Sequence, residues 1–280
     1  MTLLSMTILL MGLFNAYAPA MVGDRLWFGG WATAADCCED TIYELIDGKP
    51  VAVLRRAGHL LNDPSLVIPA SSDGIDRSAW RFLYYTSRDQ SLDPLEPARH
   101  NVTGLAISFD GAQTWKDLGT LIGEANGVDA CGAWAPSAVV VGTELWLYTH
   151  STAPCPVQAY RTRLDANGVR VLEVQRLLTP WPVVNLDVAR RPDGSWLMAA
   201  NAPDLRTIYL LQSADGLTWT PKGDGALIGG GIDAFLTPHL TGVGDTEFTV
   251  LFGFAPGGGP STSLQAWRFG ETRPQLKERK

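Results

Sequence analysis

No run of basic residues in this chain exceeds a dipeptide, and the formal net charge is -7. A surface that follows phosphates needs clustered Lys and Arg, so nucleic acid is a poor partner. None of Cys37, Cys38, Cys131 and Cys155 forms a C-x-x-C pair, so no zinc site is signalled. Cys131 precedes one predicted strand and Cys155 follows the next, which allows a hairpin-spanning disulfide; four reduced thiols are the alternative. No stretch keeps apolar residues at helical spacing long enough for a substantial helix. The one long apolar run, Leu3 to Phe14, is too short for a membrane span. Ala16-Tyr17-Ala18 follows it, so it reads either as a secretory signal or as a strand borrowed from the opposite terminus. A basic segment ahead of it is missing, and Pro19 is a poor residue after a cut, which favours a strand over Met6 to Leu13. Localisation follows that choice: secreted or envelope-bound with a signal, cytoplasmic otherwise.

What is present is turn chemistry and tryptophan. Gly (29) and Pro (18) are plentiful, and Trp (10) outnumbers Tyr (7), as suits many short strands joined by turns. A weak repeat of about 50 residues runs through the chain, within the range of a four-stranded propeller blade. Its units open at AYAPAMVGDRLWFGGW (Ala16), NDPSLVIPASSDGIDRSAWRFLYYT (Asn62), WAPSAVVVGTELWLYTH (Trp134), NLDVARRPDGSWLMAAN (Asn185) and DAFLTPHLTGVGDTEFTVLFG (Asp233). A third strand follows in each: DTIYEL, GLAISFD, VQAYRTRL, TIYLLQSAD and SLQAWRF. In Trp80–Tyr85 and Glu144–Tyr148 apolar residues fill both strand faces, which fits sheets sandwiched between neighbours. The expected fold is all-β: one five-bladed propeller spanning residues 1–280, with 1–15 as closing strand or signal remnant and 271–280 a frayed tail. SFDGAQTW and SADGLTW are expected as structural turns on the rim.

In a propeller the innermost strands line a central channel, and the residues that open them converge at one mouth. That places Asp63, Trp134, Asp187, Asp233 and His239 as candidates, with Trp31 and His150 near the same mouth. Carboxylates brought together this way suit glycoside hydrolysis, where one activates water and another protonates the leaving oxygen. Trp134 and Trp31 offer sugar-stacking faces, and the acidic segment Asp36 to Asp40 either shapes a subsite or is solvated. The expected partner is an oligo- or polysaccharide. Asn101-Val102-Thr103 is a glycosylation sequon.

LNDPSLV, GAWAPSAVV and NLDVARRPDGSWLM resemble motifs of the five-bladed propeller glycoside hydrolases, the family 43 group and its relatives in families 32, 62, 117 and 130. The resemblance implies a general base at Asp63 and a residue that orients the acid and tunes its pKa at Asp187. The family's acid Glu sits in a Glu-Gly-Pro motif that this chain lacks. Asp233 stands near that place, with Glu124 and Asp129 as loop substitutes; without an acid, the chain would bind sugar and not cleave it. The resemblance requires no organic cofactor and leaves room for Ca²⁺ in the channel, although no ligand cluster in the sequence demands a metal. The Asp-containing turns also suggest a sialidase-like enzyme, but that reading needs six blades and an arginine cluster. Specificity would rest with rim loops such as Asp89 to His100 and Thr152 to Pro156.

Overall fold

The computed structural model describes residues 2–8, 15–31, 40–71, 74–91, 101–123, 133–152, 155–229, 231–259 and 262–270. Among them, twenty strands form five antiparallel sheets of four, one sheet per blade of a propeller. Blade one is β2 (Asn15–Val22), β3 (Arg25–Trp31), β4 (Thr41–Ile46) and β5 (Lys49–Leu54). Blade two is β6 (His59–Val67), β7 (Arg81–Asp89), β8 (Asn101–Ser108) and β9 (Lys116–Ile122). Blade three is β10 (Trp134–Val141), β11 (Glu144–Ser151), β12 (Gln158–Leu164) and β13 (Val171–Arg176). Blade four is β14 (Val184–Arg190), β15 (Trp196–Asn201), β16 (Thr207–Ser213) and β17 (Thr220–Gly229). Blade five is β18 (Ala234–Thr241), β19 (Glu247–Ala255), β20 (Ser263–Gly270) and, outermost, β1 (Thr2–Ile8). The only helical segment among the described residues is a 3₁₀ turn, Pro256–Gly258.

The ring closes at β1. The strand pairs with β20 from Thr2↔Gly270 to Ile8↔Leu264, so the chain start completes the blade that the chain end builds. A borrowed closing strand is therefore present, set earlier than the Met6 to Leu13 expected; residues 9–14 lie outside the described set. The inner strands β2, β6, β10, β14 and β18 touch in that order, and β18 returns to β2.

Hydrophobic periodicity explains the stacking. Alternate residues of a strand face opposite sides, so a blade sandwiched between two others needs apolar residues at every position. Along β7, Phe82 and Tyr84 pack towards blade three while Leu83 and Tyr85 pack towards blade one. Along β15, Trp196, Met198 and Ala200 face blade three, and Leu197 and Ala199 face blade five. Two tyrosines clasp neighbouring blades: Tyr84 donates to the Gly168 carbonyl at 3.0 Å and Tyr148 to the Gly216 carbonyl at 3.1 Å.

The Asp-containing turns are closed on themselves. Asp110 accepts from the Gln113 and Thr114 N–H groups, and Asp215 from those of Leu217 and Thr218. These turn hydrogen bonds hold Asp215 down at about 2, chiefly through Thr218 N–H. Trp219 returns from its turn into the core between blades three and four. Asn101 and Thr103 of the sequon are buried in β8, so the folded chain does not present it for glycosylation. Cys155 is disulfide-bonded, and the other three cysteines lie outside the described residues.

Candidate active site

Every inner strand breaks register once, at the same place. The breaks fall at Tyr17/Ala20, Asn62/Ser65, Trp134/Ser137, Val184/Asp187 and Leu236/His239. Inside each bulge one residue is left-handed: Ala18 (φ 50°), Asp63 (49°), Ala135 (43°), Asn185 (46°) and Thr237 (39°). Four of these precede proline, which ordinarily drives the residue before it to extended backbone. Such conformations cost roughly 1–3 kcal/mol each and persist where the surroundings over-determine them. A bulge re-aims the side chain it carries, and here five bulges meet at one end of the channel.

The candidate acids that open the inner strands do not stand at equivalent positions. The counterpart of Asp63 in blade four is Asn185, and in blade five it is Thr237. Asp187 lies two residues on, level with Ala20, Ser65, Ser137 and His239. Asp233 precedes β18 altogether.

Three of the five bulge residues, Asp63, Asn185 and Thr237, face a cavity of about 370 Å³ together with residues beside the bulges. Asn15, Tyr17, Trp31 and Asp40 line it from blade one, and Leu60, Asn62, Asp63 and Arg88 from blade two. Trp134, Asn185, Leu236 and Thr237 complete it from the other three blades. Of the sequence candidates, Asp63, Trp31 and Trp134 therefore meet in one pocket, and Asp187, Asp233, His150 and His239 do not line it. Glu124 and Asp129 lie outside the described residues. A larger depression of about 470 Å³ surrounds Asp215, whose carboxylate is taken up by its own turn.

Asp63 is buried, and Thr237 Oγ1 donates to its Oδ1 at 3.2 Å. Thr86 also bonds the carboxylate, while its own hydroxyl oxygen accepts from Ala135 N–H at 2.8 Å. Loss of hydration raises Asp63 to about 6 despite these two hydroxyls, with the nearby Asp40 adding to the rise. Asp40 is equally buried: Tyr17 donates its hydroxyl to Oδ2, and Asn62 Nδ2 reaches the same oxygen at 3.3 Å. Burial raises Asp40, opposed by Tyr17, Asn62 and Arg88. Five buried polar atoms on this lining have no partner among the described residues: Asn15 Oδ1, Asp40 Oδ1, Asn62 Oδ1, Trp31 Nε1 and Trp134 Nε1. That is an excess of unspent hydrogen bonding, both donors and acceptors, in one small space.

The residues two positions on are spent. Ser65 Oγ accepts from Ala138 N–H at 2.9 Å, and Ser137 Oγ from Val188 N–H at 2.9 Å. Ser137 then donates to Asp187 Oδ1 at 2.6 Å, and Asp187 Oδ2 accepts from Leu240 N–H at 2.7 Å. His239 Nε2 accepts from Met21 N–H at 3.0 Å, which puts the proton of the neutral ring on Nδ1, 3.1 Å from Asp187 Oδ2. The result is a belt in which each blade grips the backbone of the next, with Ala20 as the one member that offers nothing. His150 supports the pocket from behind. Its ring lies against Trp134, with centroids 6.1 Å apart, and its Nε2 is 3.2 Å from Asn185 Oδ1. Burial lowers His150 to about 4, so the ring is neutral at neutral pH. Asp233 Oδ1 accepts from Gly257 N–H at 2.8 Å and pins the 3₁₀ turn.

Calcium takes six to eight oxygen ligands. Both oxygens of Asp187 and both ring nitrogens of His239 are engaged within the belt, and no group of three His, Cys, Asp or Glu among the described residues is arranged for a metal. Among the described residues the belt offers no cluster of free ligands for such an ion.

No family model and no curated protein matches the sequence. Solved structures do. An alpha-L-arabinofuranosidase from Lactobacillus brevis superposes with a TM-score of 0.67 at 13% identity, covering 92% of this chain and 94% of that one. A thermostable family-43 glycoside hydrolase gives 0.67 at 11%, covering 93% and 91%. A family 117 glycoside hydrolase from Zobellia galactanivorans gives 0.65 at 12%, covering 96% and 90%. The chain has the five-bladed propeller fold of these glycoside hydrolases. A protein of unknown function from Dyadobacter fermentans shares it too, with a TM-score of 0.61 at 13% identity, over 95% of this chain and 98% of that one. Asp40, Tyr17 and Asn62 are the site residues that sequence reasoning passed over. Asp40 surfaced only as the end of an acidic segment, and its place beside Asp63 depends on how blades one and two pack.

Proposed function

We propose that this chain hydrolyses a glycosidic bond of a carbohydrate seated in the funnel mouth. One observation carries the reading: a buried carboxylate, Asp63, is raised to about 6 in a pocket where five inner strands converge between Trp31 and Trp134. Indole faces stack on sugar rings. The reaction is a single displacement in which one carboxylate activates water and a second protonates the leaving oxygen. Asp63 is one of the two. Purified protein incubated with a panel of oligosaccharides and aryl glycosides should release reducing sugar, and D63N should lower the rate by about 10²–10⁴-fold. Product formation that D63N leaves intact would sink the mechanism.

A second reading, a sugar-binding propeller without catalysis, has its own support. The fifth inner strand offers a hydroxyl, Thr237, to the row in which Asp63 stands. It predicts calorimetric binding of an oligosaccharide that survives D63N, with no product.

A further inference from the structure

We infer that the carbohydrate this pocket takes is acidic: an oligosaccharide of uronic acid residues, one carboxylate of which pairs with Arg88. This rests on the carbohydrate reading of the pocket given above and names the class of sugar.

Arg88 is the one cationic side chain among the described residues that line the cavity. It stands on β7 opposite Leu60, three residues before the bulge residue Asp63. Trp31 holds the equivalent place on β3, opposite Asn15, three residues before Ala18. Neighbouring blades therefore bring a stacking face and a guanidinium to the same level of one pocket. Arg25 and Arg56, elsewhere in these two blades, are paired with Glu44 and Asp117. Arg88 is half-buried and makes no hydrogen bond, ion pair or ring contact among the described residues. Asp40 feels its charge but does not close on it, because Tyr17 and Asn62 hold Oδ2. Asp63 is engaged by Thr86 and Thr237. A sugar that enters strips water from the guanidinium, and a desolvated charge without a partner is costly. The planar fork of N–H donors matches a carboxylate with two parallel bonds, which a neutral hydroxyl does not supply.

The ground beside the pocket has the same character. A second depression, of about 350 Å³, shares Asp40 as a wall and is lined beyond it by Arg55, Arg56 and His59. Arg56 is held by Asp117 and by the Tyr85 hydroxyl at 3.1 Å, and Arg55 is exposed. In a chain of net charge -7, three arginines and a histidine thus border two cavities that meet at one residue. Clefts lined by one sign of charge concentrate ligands of the other. An oligouronide carries one carboxylate per sugar, so a ligand anchored at Arg88 continues over Arg55 with a second one.

Calorimetric titration tests this with galacturonides and glucuronides of one to three residues. Each is compared with its twin in which every carboxyl group is reduced to hydroxymethyl. Wild-type protein is used, or D63N for any ligand that the wild type cleaves. At least one acidic series is expected to bind about 10–100-fold more tightly than its twin, as one charge-assisted pair allows. R88Q should bring that ratio to within about threefold of unity and leave affinity for the neutral twin near the wild-type value. R88K keeps the charge and loses the fork, so its ratio should fall between the two. R55Q should weaken the trimer about two- to fivefold and leave the monomer unchanged. Neutral twins that bind as tightly as the acidic ligands, a preference that survives R88Q, or an absence of binding by every acidic ligand each overturns the inference. Trimer affinity that R55Q leaves intact removes the second depression from the site. Acidic ligands that bind and release no reducing sugar sink the hydrolase reading and leave this inference standing; cleavage of neutral sugars without acidic preference does the reverse. Near-ultraviolet circular dichroism establishes that each variant is folded, and R88K decides alone if R88Q is not.

Discussion

Two rows of residues sit side by side on the same five strands and differ in nearly every respect. The bulge row (Ala18, Asp63, Ala135, Asn185, Thr237) is left-handed, and its Asp63, Asn185 and Thr237 line a cavity whose residues carry polar atoms without partners among the described residues. The belt row (Ala20, Ser65, Ser137, Asp187, His239) has its polar side chains committed to the backbone of the next blade. Both contain a buried aspartate. One is exposed to the chemistry of a pocket and the other is a rivet, and a displacement of two residues decides which. Strain and unsatisfied polar groups are destabilising, so their concentration in one row marks where the fold gives up stability for function.

The largest break in this contrast should come from Asp187→Ala. It strips the acceptor from Ser137 Oγ, Leu240 N–H and His239 at once, and each buried donor left unsatisfied typically costs about 1–3 kcal/mol. Urea unfolding should show that loss; a midpoint unchanged from wild type would mean the belt is ornamental.

Asp63→Asn should act in the opposite sense. The folded-state pKa of about 6 lies above the unfolded value of about 3.9. The folded form therefore binds the proton more tightly, and the stability this contributes is fully present below about pH 4 and lost as pH rises through 6. About two units correspond to about 3 kcal/mol. Relative to wild type, D63N should gain up to about that much between pH 4 and pH 7. His150 runs the other way, losing stability as pH falls from 6.5 towards 4, so the variant is compared with wild type at each pH, where that contribution cancels. A difference that does not change with pH would remove Asp63 from its buried setting.

The smallest effect concerns the missing link. Ala20 is the belt member without a polar group, and in the pattern of the other four its reach would be to Leu66 N–H. Ala20→Ser should add about 0.5–1.5 kcal/mol, the net worth of one hydrogen bond. Denaturation that shows a loss instead would mean that the site has no room for the hydroxyl.

The propeller was legible because its signal is local. Strands such as Arg81–Asp89 and Trp196–Asn201 are apolar on both faces, which only sheets stacked on both sides require. Asp-Pro and Ala-Pro marked three of the five inner strands, at Asp63-Pro64, Ala18-Pro19 and Ala135-Pro136. The site was legible in part. Asp63 and Trp134 sit in the motifs, but Asn185-Leu186-Asp187 reads as though its acid matched Asp63. A bulge changes which residue opposes the next strand, and spacing in one strand does not reveal where the bulge falls in another. Asp40 carries no motif at all.

By itself, the sequence determined the number of blades and the order of strands in the four sheets built from contiguous chain. Only the tertiary structure decided which carboxylates share a pocket. Asp40 and Asp63 are brought within electrostatic reach by the docking of two separate sheets, and Asp187 joins Ser137 of blade three to Leu240 of blade five. Burial, which sets the proton affinity of all such groups, is a property of that assembled ring and of no single segment in it.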